Sequence, residues 1–160
     1  MRCSCTGAKS RSAAAWDRAP LLQLRFSSSG VHMKRILVIE DEAPIRANLV
    51  RFLRLEGFQT FEAQDGEAGL AMALEVRPDL IFCDVMMPRK DGFGVLNALR
   101  QDANNRDVPF YFLSASAEPE RLELAMQSGA MGYLTKPFNL TQLHDILKRH
   151  VSTDGAAGAS

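Results

Sequence analysis

Side chains able to do chemistry stand where apolar runs of this sequence end. The clearest is Asp84, which follows the apolar run at residues 80–83 and precedes a loop marked by Pro88 and Gly92. A short apolar run of this kind is typical of a strand buried on both faces of a parallel sheet. A carboxylate at the carboxyl end of such a strand lies where open α/β sheets bind ligands. Asp84 is therefore the leading candidate, although an aspartate alone at a strand end is more often a turn or cap residue.

Three other apolar runs end in polar side chains of complementary kinds. Glu40 and Asp41 follow the first run, Ser114 follows the fourth and Lys136 follows the fifth. Neighbouring parallel strands lie roughly 4.8 Å apart and end at one edge, so these side chains are expected to converge on Asp84. Three carboxylates in one pocket repel one another, and a hard divalent cation such as Mg²⁺ relieves that repulsion.

The remaining groups suit a phosphoryl ligand. The Lys136 ammonium supplies a point charge for phosphoryl oxygens, and the Ser114 hydroxyl can donate a hydrogen bond to one of them. A carboxylate such as Asp84 is able to form a covalent phosphoryl intermediate. The set therefore predicts phosphoryl chemistry with Mg²⁺ as cofactor.

Such a pocket requires alternating strands and helices to position it. The sequence predicts strands at residues 34–39, 58–63, 80–83, 108–113 and 131–134, and helices at residues 45–56, 66–76, 93–100, 118–128 and 139–151. This alternation predicts an α/β fold with right-handed crossovers and a doubly wound parallel sheet covered on both faces. It excludes an all-helical module and leaves several doubly wound folds open.

The two ends of the chain differ in composition from residues 33–151. Residues 1–32 carry five basic residues and one acid among many Ser and Ala, which predicts a disordered leader. The leader resembles an organelle transit peptide, and a true start at Met33 is the favoured alternative. Residues 152–160 are small and polar, which predicts a disordered tail. With nine residues after Val151, no output domain is expected within this chain unless it is a fragment.

Composition and charge indicate one soluble globular domain. Of the 160 residues, 46% are hydrophobic and 24% charged, and the formal net charge is +0. A chain without net charge has no overall electrostatic attraction to nucleic acid or to an anionic membrane surface, so neither is predicted as a partner. The arginines at positions 46, 51 and 54 are interpreted as the solvated face of a helix, because no stacking aromatics lie between them.

Cysteine usage indicates a reducing compartment. The three cysteines, Cys3, Cys5 and Cys83, are too few for a disulfide framework, and Cys3 and Cys5 alone are a weak metal signal. A cytoplasmic location is therefore predicted. Cys83 lies within an apolar run and is interpreted as a small buried hydrophobe.

The apolar runs and their polar ends form four segments. They are Ile36-Leu37-Val38-Ile39-Glu40-Asp41-Glu42, Asp84-Val-Met-Met-Pro-Arg-Lys-Asp91-Gly92, Leu113-Ser114-Ala115 and Tyr133-Leu134-Thr135-Lys136-Pro137-Phe138. In this order and at this spacing they resemble the receiver domain of bacterial response regulators, of the stand-alone, chemotaxis-regulator-like kind. The resemblance covers residues 34–151. It implies a flavodoxin-like fold with five strands in the order 2-1-3-4-5 and five helices.

The resemblance also implies a phosphorylation-controlled switch of a two-component system. Asp84 would accept a phosphoryl group from a histidine kinase or phosphotransfer protein. Glu40, Asp41 and Asp84 would hold Mg²⁺ together with the backbone carbonyl of Met86.

Further residues match the family's switch and phosphate-binding positions. Ser114 and Tyr133 match its hydroxyl and aromatic switch positions, and Lys136-Pro137 resembles its lysine followed by a cis proline. We expect the signal to leave through residues 118–151 toward a downstream protein whose identity the sequence does not give.

Two other functions stay open. A hydrolase with an aspartyl-phosphate intermediate, similar to the haloacid dehalogenase phosphatases, usually has a second Asp two residues after the nucleophile, where this sequence has Met86. Turnover of external substrates is therefore not predicted, and the chain is not expected to be an enzyme in that sense. A phosphorylation-independent, receiver-like scaffold commonly lacks the acidic pair, the acceptor or the lysine, all of which are present here.

Overall fold

The computed structural model describes residues 33–116 and 118–151, so the predicted leader at 1–32 and the predicted tail at 152–160 lie outside the described residues. The strands within the described part are β1 (Arg35–Ile39), β2 (Gln59–Ala63), β3 (Leu80–Asp84), β4 (Phe110–Ser114) and β5 (Gly132–Thr135). The helices there are α1 (Ala43–Leu55), α2 (Gly66–Val76), α3 (Gly92–Gln101), α4 (Pro119–Gln127) and α5 (Leu140–Val151).

The five strands form one parallel sheet in the order β2-β1-β3-β4-β5, as predicted. The register brings the polar strand ends to one level. Ile39 of β1 lies opposite Cys83 of β3, so Glu40 and Asp84 come next on neighbouring strands. Ser114 ends β4 opposite Thr135 of β5, the residue before Lys136. Consecutive strands therefore deliver the candidate residues to the same edge.

Side chains from the two faces of the sheet form two hydrophobic layers. On one face, strand residues such as Val38 and Phe82 pack with α1 and α5. On the other face, Leu37 and Cys83 pack with α2, α3 and part of α4. All five residues of β3 are buried, which is the environment that its uninterrupted apolar run predicted. Cys83 is 0% exposed, which confirms its interpretation as a buried hydrophobe.

Local signals set the helix ends close to the predicted positions. The side chains of Asp65 and Asp91 accept hydrogen bonds from the backbone N–H three residues later, at 2.8 Å in both cases, and so begin α2 and α3. Asn139 Oδ1 accepts from Thr141 N at 2.9 Å before α5. Gly57 and Gly129, which follow α1 and α4, have φ of +91° and +93°, a conformation that glycine adopts without strain.

One strand boundary was predicted wrongly. The apolar run suggested that β4 starts at residue 108, but it starts at Phe110. Val108 N donates to Asn105 O at 3.2 Å in a turn, and its carbonyl accepts from Arg100 Nη1 at 3.1 Å. Both backbone groups of Val108 are therefore engaged outside the ladder.

Helix α4 is the least buried helix of the described part. Ala125 is its one buried residue, whereas Leu122, Leu124 and Met126 are 40–51% exposed. None of the helices described at residues 33–116 and 118–151 has the length and apolar character needed to cross a membrane.

Candidate functional site

An acidic cluster lies at the carboxyl edge of the sheet. Asp84, at the end of β3, is 5% exposed, Glu40 after β1 is 0% exposed, and Asp41 is exposed. One carboxylate oxygen from each of the three residues lies within 4.8 Å of the others. The structure therefore brings together the three carboxylates that the sequence placed at one edge.

Lys136 projects into this cluster from the loop after β5. Its Nζ lies 2.7 Å from Glu40 Oε2, 3.2 Å from Asp84 Oδ2 and 3.8 Å from Glu42 Oε1. The peptide bond between Lys136 and Pro137 is cis, as the resemblance implied. The Glu40 contact is an ion pair rather than a well-directed hydrogen bond, since the buried Oε2 has no hydrogen-bond partner among the described residues.

Burial and mutual repulsion set the protonation of this cluster. Burial raises the pKa of Glu40 to about 7, an effect that Lys136 opposes and the nearby charge of Asp84 reinforces. Burial likewise raises the pKa of Asp84, again against the influence of Lys136. Burial alone would lower the pKa of Lys136, but its ion pair with Glu40 and the charge of Asp84 outweigh this effect and raise the pKa. One ammonium thus offsets the cost of burying two carboxylates only in part.

The acidic cluster fits a hard divalent cation. Oxygen ligands from one or two carboxylates, completed by water, are what Mg²⁺ takes in proteins. Glu40 Oε2 is buried and not saturated by hydrogen bonds, and Asp41 faces solvent at the pocket mouth. A cation here would favour the ionised forms of carboxylates whose pKa burial has raised.

Ser114 and Tyr133 meet at one backbone carbonyl. Ser114 is 3% exposed, and its Oγ donates to Ser116 O at 3.1 Å. The hydroxyl of Tyr133, on β5, donates to the same carbonyl. The two predicted switch residues are thus joined through the loop that follows β4.

Met86 lies two residues after Asp84, in the loop after β3. Its backbone N–H donates to Asp84 Oδ1 at 3.3 Å, and its side chain is among the exposed large hydrophobic groups at 64%. The Asp84 carboxylate therefore accepts a hydrogen bond from the same loop that the resemblance expects to supply a backbone carbonyl to the metal.

Two depressions adjoin at this edge of the sheet. A pocket of about 260 Å³ is lined by Asp41, Glu42, Asp84, Met86, Ser114, Ala115, Ser116, Arg121 and Lys136. A larger, mainly apolar groove of about 520 Å³ lies between α1 and the start of α5. The groove and the pocket share Glu42, Ala115 and Lys136.

The sequence patterns did not predict the contacts of two arginines near the pocket. Arg46 was interpreted as part of a solvated face, but its Nη1 donates to Glu40 O at 2.7 Å and its Nε lies 3.4 Å from Glu62 Oε2. Arg121 of α4 lines the pocket and pairs with Glu118 at 3.2 Å. No spacing signal in the sequence distinguishes either arginine from the other basic residues of its helix.

Comparison with known families decides the classification. The response regulator receiver domain family matches residues 36–148 of the chain. This chain belongs to that family. Its function at this level is that of a receiver domain of two-component response regulators, which agrees with the strand order and the acidic edge described above.

One relative of this receiver domain is the transcriptional regulatory protein PrrA of Mycobacterium leprae. The two are 40% identical over 132 residues, which are 82% of this chain and 56% of PrrA. The chain spans about half the length of the curated relatives it matches. Activities that belong to the whole of those proteins are therefore not assigned to it by this match.

Two solved receiver structures each cover 74% of the chain. The chemotaxis response regulator CheY4 of Vibrio cholerae has a TM-score of 0.70 and 33% identity, over 74% of this chain and 99% of that one. The receiver domain of sensor histidine kinase PA1611 from Pseudomonas aeruginosa, solved with a magnesium ion coordinated in its active site cleft, has a TM-score of 0.69 and 31% identity. That match covers 74% of this receiver domain and 97% of the neighbour.

Proposed function

We propose that this receiver domain is a phosphorylation-controlled signalling switch whose acceptor is Asp84. The observation that carries the proposal is the position of Asp84 at the end of the central strand β3. There it is 5% exposed, with its Oδ2 3.2 Å from the Lys136 ammonium and its carboxylate within 4.8 Å of the acidic pair Glu40 and Asp41. A nucleophile held beside a fixed cation is arranged for phosphoryl transfer.

In the proposed reaction a carboxylate oxygen of Asp84 attacks the phosphorus of a phosphohistidine. The new bond joins that oxygen to phosphorus while the bond from phosphorus to the histidine nitrogen breaks, and the nitrogen keeps the electron pair. Lys136 stabilises the negative charge on the phosphoryl oxygens, because its ammonium is already held beside the acceptor. Ser114 donates its hydroxyl proton to one of those oxygens in a hydrogen bond.

Glu40, Asp41, Asp84 and the backbone carbonyl of Met86 are the proposed Mg²⁺ ligands. When bound, the ion supplies positive charge that neutralises the phosphoryl oxygens and the clustered carboxylates. The magnesium coordinated in the PA1611 receiver, a neighbour of 31% identity, supports this assignment.

The proposed donor is a histidine kinase or a phosphotransfer protein. It has to bring its phosphohistidine to the mouth of the Asp84 pocket, so it must contact the rim. The apolar groove between α1 and α5 adjoins that mouth through Glu42 and Lys136 and exposes Leu140, which is 59% exposed. We assign docking of the donor to this groove.

Turnover of external substrates is not part of the proposal. The position two residues after the acceptor is Met86, whose side chain has no proton to give or take, unlike the second Asp of a phosphatase of the haloacid dehalogenase kind. The receiver domain catalyses its own phosphorylation and dephosphorylation, and it acts in the cytoplasm through a downstream protein rather than on nucleic acid.

Phosphotransfer profiling tests this function. The full chain is mixed with a set of radiolabelled, phosphorylated histidine kinases in Mg²⁺, and label on the chain is followed at early times. We expect rapid transfer from a small subset of the kinases. Failure of every kinase and phosphotransfer protein to label a chain that remains folded would reject the two-component assignment.

The phosphoryl group should remain on Asp84 of this receiver domain for a comparatively long time before it is hydrolysed. Hydrolysis needs a water in line with the phosphorus, and the two side chains best placed to orient it are Met86 and Ser116. Met86 is apolar and flexible, and Ser116 is too short to reach as a Glu would. The double substitution Met86→Asn with Ser116→Glu should shorten the lifetime of the phosphorylated chain at least about tenfold, because polar side chains can then orient the water.

Loss of label after removal of the donor measures this lifetime. Met131→Asn is the matched control, since Met131 is 51% exposed and lies before β5, outside the pocket lining. Unchanged or slower decay in the double variant would show that water access at these two positions does not set the rate.

Phosphorylation should change the surface formed by residues 118–151. A phosphoryl oxygen that accepts from Ser114 Oγ draws that hydroxyl away from Ser116 O, the carbonyl to which Tyr133 also donates. A two-state element responds to such a difference in contacts, and a complete shift from 1:99 to 99:1 requires about 5.5 kcal/mol.

Amide chemical shifts with and without phosphorylation map this response. We expect the changes beyond the pocket to concentrate on α4, β5 and α5, and to be smaller in Tyr133→Phe even though Asp84 is still phosphorylated. A response that spares this surface and concentrates on α1 would contradict the route.

A further inference from the structure

The loop after β3 contains a turn in a rarely populated conformation. Arg89 has φ of +70°, in the left-handed region that non-glycine residues seldom adopt. Lys90 N donates to Pro88 O at 2.8 Å, which closes a three-residue turn around Arg89. A backbone of this kind persists only where the surrounding structure holds it, and such positions concentrate at functional sites.

The start of α2 approaches this turn closely. A Cβ on Gly66 would lie 2.1 Å from Lys90 O and 2.9 Å from Lys90 Cβ. The distance to Lys90 O is far shorter than a van der Waals contact. Because this oxygen belongs to the backbone, a change of side-chain rotamer cannot relieve the clash. Only glycine at position 66 therefore allows the loop to lie where it does.

A buried carboxylate beside Gly66 adds a second contact. Asp65 is 6% exposed, and its Oδ1 accepts from Ala68 N at 2.8 Å as the cap of α2. Its other oxygen, Oδ2, lies 3.5 Å from Arg89 Nη1. The carboxylate is thus fixed by its own helix and engages the central residue of the turn.

Backbone hydrogen bonds fix the same loop at both of its ends, beside the carboxyl end of β3. Met86 N donates to Asp84 Oδ1 at 3.3 Å, and Gly92 N donates to Val85 O at 3.1 Å. Between these points Met87 packs against the core layer that contains Cys83, while Asp65 and Gly66 contact Arg89 and Lys90. The position of Met86 therefore depends in part on how α2 supports the turn.

We infer that Asp65 and Gly66 are positioning residues for the Mg²⁺ site. This inference rests on the proposed function, in which the backbone carbonyl of Met86 is a ligand. The two residues hold the strained turn and, through it, the carbonyl of Met86. Mg²⁺ requires near-ideal octahedral geometry, so a small displacement of one protein ligand weakens binding even when the carboxylates stay in place. Loss of a residue that orients a metal ligand without binding the metal itself typically weakens metal affinity about 10- to 100-fold.

The decisive variant is Gly66→Ala in the full chain. We expect its Kd for Mg²⁺, from calorimetric titration with MgCl₂, to weaken about tenfold. The phosphorylation rate at saturating Mg²⁺ should stay within about threefold of the wild type, because Asp84 and Lys136 are untouched. A purely structural role would instead lower the unfolding temperature by equal amounts in chelator and in Mg²⁺.

Gly132→Ala is the matched control. A Cβ there would lie 2.6 Å from the Tyr111 ring, a steric clash with a side chain at the start of β5, away from the carboxyl edge of the sheet. We expect this variant to lose stability equally in chelator and in Mg²⁺, with the Mg²⁺ affinity of the wild type.

If Gly66→Ala does not fold, Mg²⁺ binding is measured instead on the variants Asp65→Asn and Arg89→Gln. Asparagine keeps an oxygen to cap α2 and removes only the charge that faces Arg89. Each single variant should weaken Mg²⁺ binding about two- to fivefold, the scale of a partly exposed ion pair. The double variant should be no weaker than either, because both substitutions break the same contact.

Two failures are distinguishable. If the wild type binds Mg²⁺ and is phosphorylated, while Gly66→Ala and Asp65→Asn bind Mg²⁺ as tightly as the wild type, the positioning role is overturned. Additive effects of Asp65→Asn and Arg89→Gln overturn it as well. If the wild type itself takes no phosphoryl group in Mg²⁺, the proposed function fails instead.

Discussion

Replacing Asp84 with asparagine should give a folded chain that takes up no phosphoryl group. The amide has no anionic oxygen to attack phosphorus. Within residues 33–116 and 118–151, no other carboxylate combines burial at the end of the central strand with contact to Lys136 and Met86 N. The substitution removes one of two buried carboxylates that repel each other, so we expect no loss of thermal stability. Intact mass after incubation with a small phosphodonor and Mg²⁺ measures the effect.

Asp91→Asn is the matched control for this variant. Asp91 ends the same loop, and asparagine preserves the acceptor that Gly94 N uses at 2.8 Å. This control should be phosphorylated as fast as the wild type. Full phosphorylation of Asp84→Asn would show that the acceptor has been misassigned.

Lys136→Met should slow phosphorylation about 10²- to 10³-fold, the range for loss of one preorganised group that stabilises developing charge. The Lys136 side chain is 10% exposed, and its Nζ lies 2.7 Å from Glu40 Oε2 and 3.2 Å from Asp84 Oδ2. Methionine keeps much of the volume and removes the charge. The initial rate of labelling from a small phosphodonor at saturating Mg²⁺ reports the loss.

The same variant should also lose stability in the presence of chelator. Removing one partner of a buried ion pair costs about 3–5 kcal/mol when the remaining charge is not compensated. Burial already raises the pKa of Glu40 to about 7, so its protonation at acid pH relieves the repulsion and its ionisation above neutral pH restores it. The destabilisation should therefore be larger above neutral pH than at acid pH.

Lys34→Met is the comparison for both effects, since Lys34 precedes β1 at the other edge of the sheet. It should change neither rate nor pH dependence. A Lys136→Met chain that is labelled at the wild-type rate would contradict the role of the ammonium.

Much of the fold was predictable because the three central strands, β1, β3 and β4, are almost fully buried. An uninterrupted apolar run as short as β3 favours a strand over a helix, and the alternation with helices then predicts a parallel sheet. The start of β4 was less predictable. Val108 is apolar, but its N–H donates to Asn105 O in a turn and its carbonyl accepts from Arg100 Nη1. The local sequence pattern does not reveal either contact.

The residues at strand ends were also predictable, because parallel strands place their carboxyl ends along one edge. Glu40, Asp84 and Lys136 come together for that reason. Contacts between side chains of neighbouring elements were not predictable from the sequence. Arg46 shares the spacing of the solvated arginines of α1, and only the fold places Glu62 of β2 beside its guanidinium.

The left-handed turn at Arg89 is the least predictable feature near the site. Glycine or asparagine usually marks such a conformation, and arginine gives no such signal. The support for the turn comes from Asp65 and Gly66, more than twenty residues earlier in the chain. Their close approach to Arg89 and Lys90 appears only once α2 and the loop after β3 are packed together.

Phosphorylation of Asp84 is tested by the intact mass of the full chain after incubation with a small phosphodonor, in Mg²⁺ and in excess chelator, followed by peptide mapping. We expect one phosphoryl group per chain in Mg²⁺, located on Asp84, and almost none in chelator. Equal labelling in chelator, or a phosphoryl group mapped to any other residue, would contradict it.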